Sequence, residues 1–371
     1  MEDFIDRQLQ NFFPESTAAD WKKIAMQETG GRDPFECLSW RAEDNIVFLP
    51  YYDREGTRDL RYLDGVMAAA ASAQQKRRWL NLPHIIVHNH NAANALALEH
   101  ISQGADGVNF DLRNSHQPDF DDLTRGTEAV HSTLLFYGVN EDRLQTLLRN
   151  INDIPATLNV ALFWEIIPKT GNVMRRFLPT KNLRALGISV QPASPAHEIA
   201  EAITKGVKFV EIFSDDDVSL VFRSICFSMP VDSSFLETVS KMKALRLLWF
   251  QVARAYGQND YKMSDTHIHG RSLAASDGRY APHENMLKAT YSSIAAIAGG
   301  CDSLTVQGET DTTLFRRWAR NLSHILREES FFDKVADPMA GAYAADAMTD
   351  VIARKAWALF QQNIKNHELT P

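Results

Sequence analysis

Cysteine is scarce in this 371-residue chain: Cys37, Cys226 and Cys301 stand too far apart to make a CxxC metal knuckle or a disulfide framework. A reducing cytoplasm is the expected compartment. No apolar run reaches the ~18 residues that a membrane span requires. The N-terminus, MEDFIDRQLQNFF, is acidic and amphipathic and lacks the basic and apolar regions of an export signal. Basic clusters stop at Lys76-Arg77-Arg78, and 39 Lys plus Arg against 47 Asp plus Glu leave a net charge of −8. Such a chain has no general attraction for phosphate backbones or anionic lipid, so neither nucleic acid nor membrane is an expected partner. No GxGxxG follows a first strand and no Walker loop occurs, which removes the usual marks of a nucleotide-binding open sheet. Internal repeats and low-complexity tracts are also missing.

What is present is an ordinary globular balance, 44% apolar and 23% charged. The length suggests about two and a half domains of ~150 residues. Residues 1–83 mix a short amphipathic helix, a segment centred on Trp21 and an extended stretch, NIVFLPYYDREG (45–56); they read as an arm wrapping a barrel or a partner. From residue 84 short apolar runs alternate with helical patterns. Strand-like runs stand at 84–90, 107–112, 131–139, 156–164, 185–191, 207–213, 265–269 and 303–307. Helices are expected at 91–104, 141–151, 194–206 (Ser-capped, stopping at Gly206), 233–257 and 283–300. Strand and helix in alternation imply parallel pairing with right-handed crossovers. The fold class is therefore α/β, a TIM (β/α)8 barrel over 84–371 behind an N-terminal extended and helical arm.

The C-terminal third carries more specific patterns. MKALRLLWFQVARAYG (242–257) leads into THIHGRSLAASDGRYAPHENMLKATYSSIAAIAGGCDSL (266–304), followed by ARNLSHILREES (319–330) and DPMAGAYAADAMTDVIARKAW (337–357). With GVNFDL (107–112), LSW (38–40) and LPYY (49–52), these segments resemble the barrel domain of the methylmalonyl-CoA mutase family, in family order over most of the chain. The resemblance implies a TIM barrel that threads CoA along its axis. A separate flavodoxin-like module binds adenosylcobalamin, and the closed barrel keeps water and oxygen from the radicals made there. What lies outside the barrel in this sequence is too short for that module. Asp265-Thr-His267-Ile-His-Gly270 matches the cobalt-ligating Asp-x-His-x-x-Gly pattern, but it sits inside the barrel signature, so no cofactor is expected on this chain alone and adenosylcobalamin is implied only for a complex.

Several positions depart from the catalytic pattern. LGISVQPAS (186–194) keeps Gly187 and Gln191 but has Ile188 and Ser189 where the resemblance calls for Tyr and His. Neither can hydrogen-bond a thioester carbonyl as an imidazole does. Thr157-Leu158-Asn159-Val160-Ala161 replaces a polar Thr-x-Gln-Asn-Asp segment, Thr305-Val306-Gln307 replaces His-Thr-Asn, and the turn between His267 and Ser272 is about two residues short. A substrate-facing Tyr in a loop after Tyr52 has no counterpart. No catalytic residue is assigned. The residues left as candidate substrate contacts are Asn159, Gln191, His267, His269 and Gln307.

His84, His88 and His90 could suggest a metal, with His88 and His90 on one strand face, but zinc needs three or four ligands and none is expected. His267 and His269 share a strand face and touch either a ligand or structural hydrogen-bond partners. Asp215, Asp216 and Asp217 follow an expected strand end and read as a solvated loop or helix cap. Asp111 is read as a buried partner for backbone or Arg, Arg246 as a partner for an acid, and Trp249 and Trp357 as packing. The resemblance then implies a non-catalytic small subunit that joins a mutase large subunit. The alternative is the acyl-CoA-binding half of a split mutase whose cobalamin module is a separate chain. A third reading is a repurposed barrel binding a CoA ester or other metabolite.

Overall fold

A computed structural model describes residues 16–60, 63, 78–147, 154–168, 171–175, 177–232, 234–272, 282–307 and 312–368. The expected amphipathic helix at the extreme N-terminus lies outside these residues.

Parallel strands form one continuous ladder. Strand β1 comes in two halves, Leu80–Asn81 and His84–Ile86, and the ring continues through β2 (Gly107–Asp111), β3 (Ser132–Val139), β4 (Leu158–Trp164), β5 (Leu183–Ser189), β6 (Ile225–Val231), β7 (His267–Ser272) and β8 (Ser303–Thr305). The first half of β1 pairs with β8 and the second with β2. Across the junction, the Leu82 N–H donates to the Leu304 carbonyl and the Pro83 carbonyl accepts from Asn109. One strand thus touches both of its neighbours and closes an eight-stranded barrel. The ladder is interrupted at Pro83, which has no N–H to give.

Each strand is followed by helix on the outside: α1 (His90–Ser102), α2 (Phe120–Thr124), α3 (Glu141–Leu147), α4 (Asn172–Arg175), α5 (Pro195–Ile212), α6 (Phe235–Ala255), α7 (Pro282–Gly299) and α8 (Thr313–His324), with α9 (Tyr343–Glu368) closing the chain. Strands covered on both faces are shielded along their length, and β3 and β6 are buried at every residue.

Three expectations fail in one region. Residues 207–213 are not a strand: α5 runs through Gly206 to Ile212, and the sixth strand is Ile225–Val231. Val207, Phe209 and Val210 are the buried stripe of a helix whose apolar run mimics a strand. Gly206 does not stop the helix; a Cβ there would stand 2.6 Å from the Trp249 ring, so glycine lets α5 approach α6 closely. Asp215 and its neighbours consequently follow a helix rather than a strand, and Asp217 caps the short helix Val218–Ser224. His90 likewise opens α1 behind the Asn89 cap instead of extending β1, so His88 and His90 share no strand face.

The arm packs through aromatic contacts. Thr17 and Asp20 form a capping box at the start of its helix, Ala18–Glu28, and Trp21 stacks on Tyr51 with centroids 4.8 Å apart. A two-strand ribbon, Trp40–Arg41 with Val47–Phe48, turns through Asp44 and Asn45, both at positive φ. Asp44 holds the arm to the barrel: its carboxylate meets Ser194 and His197 at the head of α5, and its carbonyl accepts from Lys355 of α9.

Helices α5 and α6 are joined by a buried ion pair. Lys241 Nζ lies 2.6 Å from Glu198 and donates to the Pro230 carbonyl at 2.8 Å, while Glu198 also accepts from the Ala193 N–H. Burial pushes the Glu198 carboxyl up, against the pull of Lys241. Truncating one partner of such a pair strands the other charge. Lys241→Met is expected to lower unfolding stability by about 3 kcal/mol, and adding Glu198→Leu to recover most of that loss, both read from urea melts.

Candidate functional site

Ring geometry decides what a barrel can hold. Residues paired across adjacent parallel strands face the same side, so Ser189, Ser228, His269, Ser303 and Leu80 form one inward row across β5, β6, β7, β8 and β1. Leu82, Leu135, Tyr137, Ala161, Phe163 and Cys226 make a second apolar cluster, separate from the main core between sheet and helices. Phe163 is fully buried and tilts against His269 at 5.8 Å.

Near the C-terminal ends of the strands, Arg271 crosses the ring. Its guanidinium lies 4.7 Å from the Tyr137 centroid and donates to the Val190 carbonyl at 3.1 Å. The Tyr137 hydroxyl meets Ser189 Oγ at 2.8 Å, and Arg113 sits 5.1 Å from the same ring. Arg113 grips Asp111, which His84 also contacts at 3.3 Å. Burial alone would raise the Asp111 carboxyl, but hydrogen bonds from His84 and Arg113 outweigh it and hold the group well below the usual range. Arg271 and Tyr137 are both almost wholly shielded from solvent, at 6% and 4% exposed. These described side chains therefore project into the ring and meet one another across it.

The five expected contacts do not converge. Asn159 is exposed at the start of β4, the end opposite the functional face of such barrels. Gln191 is exposed just beyond β5. Gln307 follows β8 and lines a cavity of about 440 Å3 between α7 and α8, outside the ring. Only His267 and His269 come together: Ser303 Oγ lies 3.2 Å from His267 Nε2 and 2.9 Å from His269 Nδ1. With one hydroxyl hydrogen, Ser303 donates to one imidazole and accepts from the other. The second ring nitrogen of His269 has no hydrogen-bond partner among the described residues.

His267 stands at the bottom of β7, above Asp302. Arg246 clasps that end of the barrel, donating to the carbonyls of Met263, Thr266 and Gly300 and to the Asp302 carboxylate at 2.8 Å. Desolvation would raise Asp302, but Arg246 and His267 bring it below its ordinary value. A cobalt-ligating histidine must present a free nitrogen to the corrin; His267 is a half-buried residue of a barrel strand with Nε2 bonded to Ser303, so the Asp-x-His-x-x-Gly match does not fit that group. Among the described residues no cluster of three or more His, Cys, Asp or Glu could hold a metal ion, and no helix is long and apolar enough to cross a membrane.

Of the family's Tyr-His positions, Ile188 points outward into the main core and Ser189 inward to Tyr137. Sequence reasoning missed Tyr137 and Arg271. Their signals were an aromatic in phase with Leu135 in one strand and an arginine inside the strand-like run HIHGRS.

Burial pushes the His267 imidazole down to about 4, against its ordinary 6.5, with Asp302 opposing. An imidazole that stays neutral when folded but takes a proton when unfolded makes the fold less stable as the pH falls. Stability is expected to decline between the ordinary value of 6.5 and the folded value of about 4, by up to about 3 kcal/mol. His267→Asn should flatten that part of the slope in urea melts across this window, and an unchanged slope would contradict it.

Comparison with known proteins matches residues 139–367 to the family model described as methylmalonyl-CoA mutase. The chain is 26% identical over 96% of its length to a methylmalonyl-CoA mutase small subunit of Porphyromonas gingivalis, covering 64% of that protein. It is 22% identical over 92% of its length to a methylmalonyl-CoA mutase of Cereibacter sphaeroides, covering 57% of it. Over 46% of its length it is 31% identical to a probable methylmalonyl-CoA mutase small subunit of Mycobacterium bovis, covering 29% of that chain. It thus spans less than two thirds of these curated relatives. With its closed ring of eight parallel strands and a family match over more than half its length, the chain belongs to the methylmalonyl-CoA mutase family.

Proposed function

We propose that this chain is a non-catalytic, small-subunit-type barrel that joins the large subunit of an adenosylcobalamin-dependent acyl-CoA mutase and binds no cobalamin itself. The observation that carries the reading is the set of side chains inside the ring. A CoA thioester needs an open channel, and here Phe163, Tyr137 and Arg271 project into that space, Phe163 against His269, Arg271 over the Tyr137 ring and the Tyr137 hydroxyl bonded to Ser189. A mutase site also needs an imidazole beside the acyl group, and Ser189 stands there with its hydroxyl spent on Tyr137. His267 and His269 take structural roles on this reading, and of the expected contacts Gln191 alone stays exposed at the mouth. The relatives named as small subunits support an obligate partner. Cys37, Cys226 and Cys301 form no disulfide, which fits a reducing cytoplasm.

Mixing the purified chain with the mutase large subunit of the same organism tests the proposal. A stable complex on gel filtration is expected, with isomerisation of methylmalonyl-CoA only when the large subunit is present. Failure to associate would remove the proposed role. Turnover by this chain with only a separate cobalamin-binding polypeptide would establish the split-mutase alternative instead.

A further inference from the structure

The cavity between α7 and α8 lies outside the barrel axis and serves no part of the role proposed above. It measures about 440 Å3 and is lined by Val231 and Val306 at the ends of β6 and β8 and by Phe315, Trp318 and Leu322 of α8. Small side chains on the facing helices, Ala289 and Ala319, leave the space open. A mostly apolar hollow of several hundred Å3 with a few polar groups, at the C-terminal ends of barrel strands, is the common form of a small-molecule site.

Its polar lining selects a class of ligand. Thr290 and Ser292 turn their hydroxyls back to the carbonyls of Met286 and Ala289. Asp232 accepts from the Ser234 N–H at 2.7 Å. Asp232 and Lys288 bring opposite charges to the lining, so it favours neither anion nor cation. The side-chain amides of Gln307 and Asn321 line the cavity and make no hydrogen bond among the described residues. An amide offers one carbonyl acceptor and two N–H donors without charge, and its best complement is another neutral group carrying both.

We propose that the cavity between α7 and α8 binds a neutral carboxamide with an aryl or branched-alkyl body, the body between Phe315, Trp318 and Leu322 and the amide paired with Gln307 and Asn321. Binding there does not depend on the mutase reading, because the ligand never enters the ring.

N-benzylacetamide is a suitable probe, titrated against the full chain by saturation-transfer NMR and by tryptophan fluorescence. One saturable site is expected with a Kd on the order of 1 mM or tighter. Phenylacetate, with the same ring and a carboxylate, should bind about fivefold or more weakly, because its charge finds no net complement. Ala319→Phe and Ala289→Leu, each filling the hollow from one helix, should weaken the amide by about tenfold or more. Circular dichroism confirms that each variant is folded, and either one alone suffices for the comparison. No saturable binding of N-benzylacetamide, or equal binding by the filled variants, would overturn the proposal.

Discussion

The space inside an eight-stranded ring is fixed by strand number and tilt, and it holds side chains or a ligand, not both. Everything particular to this protein follows from how that space is used. Leu82, Leu135 and Phe163 supply bulk in the middle layers, and Arg271 spans the top from β7 to the Val190 carbonyl beyond β5. An arginine so shielded is costly unless its charge is offset. The Tyr137 face and a backbone carbonyl do part of that, although its Nε has no partner among the described residues. The same choice explains the imidazoles of β7. Held neutral by burial and tied through Ser303, they act as structural polar groups inside a low-dielectric layer.

Outside the ring, polar contacts do the aligning where apolar packing cannot. Arg246 gathers the start of β7 and the turn before β8 from a single position on α6, five residues after Lys241 fixes the same helix to α5 and to the end of β6. Gly206 complements both by allowing the Trp249 ring to lie against the α5 backbone. One helix thus carries the clasp for the bottom of the barrel and the tie for its upper wall. Arg246 and Trp249, within the stretch MKALRLLWFQVARAYG that carries the family resemblance, read as architecture before they read as chemistry.

How far the sequence revealed this differs by layer. Alternating apolar runs gave the barrel and seven of its strands. The sixth was misplaced because VKFVEIF is as apolar as a strand while belonging to a helix longer than its apparent stop at Gly206. The true strand, ICFSMPV, carries a proline and a serine that weaken the pattern, yet Ser228 faces inward and Pro230 gives its carbonyl to Lys241. Family departures at Ile188 and Ser189 were legible residue by residue. The contacts inside the ring were not, since Tyr137 on β3 and Arg271 on β7 meet only when the ring is closed, and neither spacing nor composition joins them. The pairing of His267 with His269 was visible as a shared face; the serine that links them was not.

The split first strand has a consequence for how the molecule is made. Leu82 meets Thr305 across a sequence separation of 223 residues, so the last seam of the barrel is among its most distant contacts. On a ribosome, β1 emerges early and finds β2 within a few tens of residues, but its other edge has no mate until nearly the whole barrel has been synthesised. Through that interval an open strand edge and an unfilled interior face the solvent together, the state in which parallel sheets are slow to complete and prone to wrong pairing. Pro83 gives its carbonyl to Asn109 of β2, so the donor it lacks belongs to the edge that pairs early, and the waiting edge keeps the N–H groups of Leu80 and Leu82 that later meet Asp302 and Leu304.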